Sequence, residues 1–98
     1  MSEMDGITGF QRDILYVIAG LGDPKGMRVQ SALEEYYGSS VLHARVYQNL
    51  DALVECDLVE KGERDSRTNY YRLTSAGRGC IESRRQWEGG YVSDLFET

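Results

Sequence analysis

Arg45 and Gln48 stand three residues apart in a stretch whose apolar residues recur every three to four positions. That spacing sets both side chains on one face of a helix. There a guanidinium can pair with guanine and a carboxamide with adenine, so the two have the geometry to read base edges in a DNA major groove. The small Ala44 beside them lets such a helix approach closely; the bland alternative is a solvated helix surface. Tyr47, to the side of the same helix, can donate its hydroxyl to a phosphate, pack half-buried on the preceding helix, or do both. Downstream, Arg64, Arg67 and Asn69 suit phosphate or minor-groove contact, against an ordinary polar hairpin tip that the intervening Asp65 favours. Arg12, Ser39 and Ser40 lie near helix starts, where unpaired backbone N–H groups attract anions.

Catalytic chemistry has no comparable set. The one histidine, His43, falls toward the buried flank of its helical wheel, as a packed or capping residue. There is no nucleophile elbow, no glycine-rich phosphate loop and no ligand spacing for a metal. Cys56 and Cys80 form no CxxC pair and are expected as buried or half-buried thiols outside any disulfide. The expectation is a protein that is not an enzyme and holds no cofactor or metal.

A net charge of -5 looks wrong for a partner of nucleic acid, but the charge is segregated. Residues 1–63 carry 5 basic and 11 acidic side chains, whereas residues 64–85 carry 6 basic and 2 acidic. An approaching phosphate feels the local patch, within a screening length of about 10 Å at ordinary salt. Nine of the eleven basic residues are arginine, in a chain with a pI near 4.8. An acidic, lysine-poor surface of this kind points to a salt-loving host. No apolar run approaches a bilayer span, and the acidic start Met1-Ser2-Glu3-Met4-Asp5 lacks a signal peptide's basic region, so an intracellular, cytoplasmic protein with no membrane partner is expected.

The elements that must position these residues follow from periodicity and punctuation. Thr8 with Gln11 makes a capping box, and Phe10, Ile14, Val17, Ile18 and Leu21 carry a helix over about 9–21. Gly22-Asp23-Pro24-Lys25-Gly26 turns the chain into a second helix of about 26–37, closed by Gly38. Ser39 or Ser40 offers an N-cap to a third helix of about 41–55, with Leu42, Val46, Leu50, Leu53 and Val54 inward and Val41, Ala44, Arg45 and Gln48 outward. Farther along that outward face Asp51 and Glu55 would repel phosphate, so only the first two turns can face DNA. Strands of about 58–63 and 68–73 flank the tip Arg64-Asp65-Ser66-Arg67. Thr74 caps a last helix, which Gly89-Gly90 is expected to weaken or kink. Ile81, Trp87, Tyr91, Val92, Leu95 and Phe96 give that helix more apolar surface than so short a chain can cover, which implies a partner subunit.

Thr8-Gly9-Phe10-Gln11-Arg12-Asp13-Ile14-Leu15, Val46-Tyr47-Gln48-Asn49-Leu50, Leu58-Val59-Glu60-Lys61 and Tyr70-Tyr71-Arg72-Leu73-Thr74 together resemble the PadR family, most closely its short haloarchaeal, phage-repressor-like branch. The likeness covers about residues 8–88. It implies a dimeric transcriptional regulator whose C-terminal helix supplies the dimer contacts. The chain departs from the family pattern twice. Val46-Tyr47-Gln48 replaces the usual Leu-Tyr-Pro, adding an amide to the outward face, and Asp57 stands where the family has glycine.

The fold expected is mainly α with a small β-hairpin, an α+β winged helix-turn-helix. It forms one domain over 1–98, with a winged-helix core at 8–74 and a C-terminal dimerisation helix at 75–98. The expected function is sequence-specific binding of double-stranded DNA by a homodimeric regulator, a repressor, on a near-palindromic operator. The competing class is a winged-helix protein-interaction module without DNA binding, which the overall charge and the Asp51 and Glu55 face support.

Overall fold

The computed structural model describes residues 6–65 and 68–96, the backbone alone being considered at 64, 65 and 68. Three helices, a two-stranded hairpin and a long fourth helix follow one another: α1 (Gly9–Leu21), α2 (Gly26–Tyr37), α3 (His43–Glu55), β1 (Val59–Asp65), β2 (Thr68–Leu73) and α4 (Ser75–Phe96). This is the winged helix-turn-helix order, and α1 and α2 have the expected bounds.

Local chemistry explains the boundaries. Thr8 Oγ1 accepts from the Gln11 N–H while Gln11 Oε1 accepts from the Thr8 N–H, each at 3.1 Å, closing the capping box. Gly38 ends α2 in the left-handed conformation, and its N–H donates to the Glu34 carbonyl. Asp57 takes φ 64 between α3 and β1, the conformation for which glycine is the usual residue. Thr74 ties the hairpin to α4: its Oγ1 donates to the Asp57 carbonyl at 2.6 Å and accepts from the Gly77 N–H at 3.0 Å.

Ile14, Leu15 and Ile18 of α1, Val29 and Leu33 of α2, and Val46, Leu50 and Leu53 of α3 meet Leu58, Val59, Tyr71 and Cys80 in one core. Burial of that apolar surface is what holds the small domain together. The hairpin is antiparallel, pairing Val59 with Leu73 through Glu63 with Asn69, and its register shifts between Glu63 and Asp65. Its strands reach Asp65 and Thr68, so the tip is shorter than expected. Beyond the hairpin ladder, the Tyr71 N–H donates to the Pro24 carbonyl at 2.9 Å, and Arg72 grips Asp23 at 2.9 Å. The root of the wing is thereby anchored to the α1–α2 turn.

Several expectations need correction. The chain stays extended through Leu42, so α3 begins at His43 and neither Ser39 nor Ser40 caps it. The helical wheel fails over this segment for the same reason. Val41 is buried, its N–H donating to Glu34 Oε2 and its carbonyl accepting from Gln30 Nε2, both at 2.9 Å, while Leu42 is 76% exposed. His43 is exposed, lying outside the buried flank, and its ring stacks on Tyr47 with centroids 4.3 Å apart. Cys56 is exposed at the end of α3, unlike the buried Cys80. Finally, α4 runs without interruption through Gly89 and Gly90. Two glycines cost such a helix only about 1 kcal/mol each, and the Arg84–Glu88 pair one turn apart at 3.3 Å supports it just upstream.

Candidate nucleic-acid interface

The leading turns of α3 carry the candidates that the structure brings together. Ala44, Arg45 and Gln48 are all exposed there, and Asp51 and Glu55 are exposed farther along. Among the described residues no side chain caps the first turn of α3. Its free N–H groups and helix dipole therefore offer partial positive charge at the end that carries Arg45. Ser39 and Ser40 are exposed in the segment leading into this end.

Tyr47 is half-buried, its ring lying against the first residue of α2 so closely that a Cβ on Gly26 would come 2.3 Å from its hydroxyl. A side chain at 26 would have to displace the ring, and the packing role of Tyr47 is realised. Arg45 is not a loose surface arginine either. Its guanidinium carbon lies 3.8 Å from the centre of the Phe10 ring, within cation–π range. Phe10 in turn stacks on Tyr37, with centroids 6.3 Å apart. The Tyr37 hydroxyl donates to Asp13 Oδ2 at 2.5 Å, and burial followed by this carboxylate pushes its pKa up to about 12.

Of the wing candidates, Asn69 is exposed on β2. The Arg64 backbone lies where the register shifts, its side chain is outside the description, and Arg67 lies outside the described residues. Arg12 stands apart from the α3 group. It is half-buried at a groove of about 480 Å³ between α1, α2 and α4, together with Tyr16, Arg84 and Glu88. The Tyr16 hydroxyl is buried there without a hydrogen-bond partner among the described residues, and burial, then the Glu88 carboxylate, raises its pKa.

On α4, Trp87, Tyr91, Val92, Leu95 and Phe96 are exposed, whereas Ile81 is half-buried against the chain's own core. Among the described residues no helix is long and apolar enough to cross a membrane, and no cluster of histidine, cysteine and carboxylate side chains could hold a metal ion.

Three residues with a place in this interface escape a reading of the sequence. Leu42 projects beside the start of α3, and only the delayed helix start makes it outward. Phe10 packs against the core, as its period implies, but that period does not reveal its contact with Arg45. Asn49 Nδ2 donates to the Arg45 carbonyl at 2.8 Å, and Asn49 Oδ1 accepts from Gln11 Nε2 at 2.9 Å. A polar position at the flank of an amphipathic helix was the only signal for Asn49.

The family described as transcriptional regulator PadR-like matches residues 14–83. Among solved structures the chain is similar to RosR of H. salinarum, 41% identical over 94% of this chain and 80% of that one, with a TM-score of 0.81. A complex structure of hsRosR is 42% identical over 96% and 84%, with a TM-score of 0.88. Streptococcus pneumoniae FabT, solved in complex with DNA, shares the fold at a TM-score of 0.78 and 21% identity, over 96% of this chain and 63% of that one. No curated protein matches.

Proposed function

Because the chain belongs to the PadR-like family of transcriptional regulators, we propose that it is a repressor that binds double-stranded DNA as a homodimer. Each protomer places the first two turns of α3 in a major groove, the two grooves lying about 34 Å apart on a near-palindromic operator. The observation that carries this reading is the exposed trio Ala44, Arg45 and Gln48 at the uncapped end of α3. Arg45 and Gln48 read base edges, and Ala44 permits close approach. Ser39, Ser40 and the first-turn N–H groups of α3 meet phosphate, as does Arg12 near the start of α1. Tyr47 adds a hydroxyl at the groove edge. Arg64, Arg67 and Asn69 bring the wing to flanking phosphates or the minor groove. Trp87, Tyr91, Val92, Leu95 and Phe96, with Ile81 at their root, form the dimer contact. Asp51 and Glu55 limit how far α3 can lie along the duplex, which suits a tip-first approach.

The test is selection of bound sequences from a random DNA pool at high salt, repeated with Arg45→Ala and Gln48→Ala. A palindromic motif that loses information at defined positions in each variant is the expected result. An intact dimer that selects no motif at any salt would instead favour a protein-interaction module, the reading that the net charge and the acidic far half of α3 support.

A further inference from the structure

Arg45 meets the first turn of α1 directly at its guanidinium, and through Asn49 of its own helix at its backbone. Its guanidinium lies over the Phe10 ring at 3.8 Å, and its carbonyl accepts from Asn49 Nδ2 at 2.8 Å. Asn49 is fixed by Gln11 Nε2 at 2.9 Å, and Gln11 is the residue whose other amide atom closes the Thr8 capping box. The ring is itself immobilised: Phe10 stacks on Tyr37, whose hydroxyl is bound to Asp13. Gln48, one turn farther along α3, has no such support among the described residues.

We propose that Phe10 is a positioning residue for base recognition, holding Arg45 in a preset conformation before DNA arrives. An arginine on a bare helix surface must give up rotamer freedom when it pairs with a base. Prior ordering removes a penalty of about 2- to 10-fold in affinity for one such side chain. Because Arg45 is the only proposed DNA-contacting side chain that the ring touches among the described residues, its contribution falls on the base that Arg45 reads and leaves phosphate contacts unchanged. The capping box thus serves recognition as well as helix initiation, since Gln11 links Thr8 to the backbone beneath Arg45.

The inference rests on the DNA-binding reading, and two measurements separate them. In the unliganded protein, nuclear magnetic resonance should show the Arg45 side-chain protons shifted upfield by the Phe10 ring current. Phe10→Leu should abolish that shift, and Phe10→Tyr should restore it. In competition binding, Phe10→Leu should lower discrimination at one base position about 2- to 10-fold, with affinity for non-specific DNA unchanged and Phe10→Tyr again close to wild type. Unshifted Arg45 protons in a wild-type protein that does select a DNA motif would overturn the positioning role alone. Tighter operator binding by Phe10→Leu would overturn it too, because the ring would then be withholding the arginine. If the wild type selects no motif, the DNA-binding reading fails and the role in recognition goes with it, whatever the ring-current shift shows.

Discussion

The Tyr37 hydroxyl joins α2 to α1 through Asp13, and its raised pKa has a consequence for stability in alkali. The folded state favours the protonated phenol, so this stabilisation is complete below the ordinary tyrosine pKa near 10. It is lost as pH climbs from there through about 12. Urea titrations between pH 9 and 12 should show the wild type losing stability more steeply than Tyr37→Phe, and parallel curves would refute the account. At the recognition end, Arg45→Ala and Gln48→Ala should each cost about 1–3 kcal/mol of discrimination at a single base position, measured by competition with base-substituted operators. That both residues share one exposed face was legible from spacing alone, because a three-residue step puts side chains on one face of any α-helix. The Phe10 contact was not, because it joins residues 35 positions apart whose approach depends on how α1 packs over α3.

Helix and hairpin boundaries turned on backbone chemistry of different ranges. Caps that use neighbours in sequence, such as Thr8 with Gln11 and Thr74 with Gly77, were readable because donor and acceptor lie three residues apart. The start of α3 was not, because Val41 is held by Gln30 and Glu34 from another helix, keeping the chain extended past both serines. Asp57 takes a left-handed conformation that glycine adopts without steric cost, so Asp57→Gly should raise stability by about 0.5–1 kcal/mol in chemical denaturation. An equal or lower stability would mean that the aspartate tolerates the conformation at no cost. Gly77 is the opposite case. A Cβ there would lie 2.1 Å from the Leu58 carbonyl oxygen, and backbone cannot step aside as a flexible side chain can. Gly77→Ala should therefore force α4 from the hairpin base and destabilise the protein by about 1–3 kcal/mol, read by urea midpoint at constant slope.

An extent of 48 Å along the longest axis reflects α4, whose far end leaves the domain with its aromatic and aliphatic side chains exposed. Leu95 and Phe96 are 76% and 78% exposed, and in the proposed homodimer the partner subunit covers them. Replacing Trp87, Leu95 and Phe96 together by serine should yield a folded monomer in sedimentation equilibrium, with operator affinity reduced at least 100-fold because the two half-sites no longer bind as one unit. A dimer that survives these substitutions would place the contact elsewhere. The charge that the molecule brings to phosphate bears on salt. Of the side chains proposed to meet phosphate only Arg12, Arg64 and Arg67 carry charge, so few phosphates are neutralised per protomer. Operator affinity should then fall only shallowly with log salt, and a slope near that of a binder with ten phosphate contacts would contradict this reading.

Periodicity, caps and turn residues were enough to specify four helices, a hairpin and which side chains of α3 face outward, because helix faces and caps depend on residues within about four positions and a hairpin on strands joined by one short turn. Packing between distant segments settled the rest: the buried Val41 and outward Leu42, the exposed His43, and the Tyr47 ring against Gly26. The seat of Arg45 on Phe10 belongs with them. These are contacts between segments far apart along the chain, and no local pattern encodes a distance that exists only once the helices have closed around their shared core.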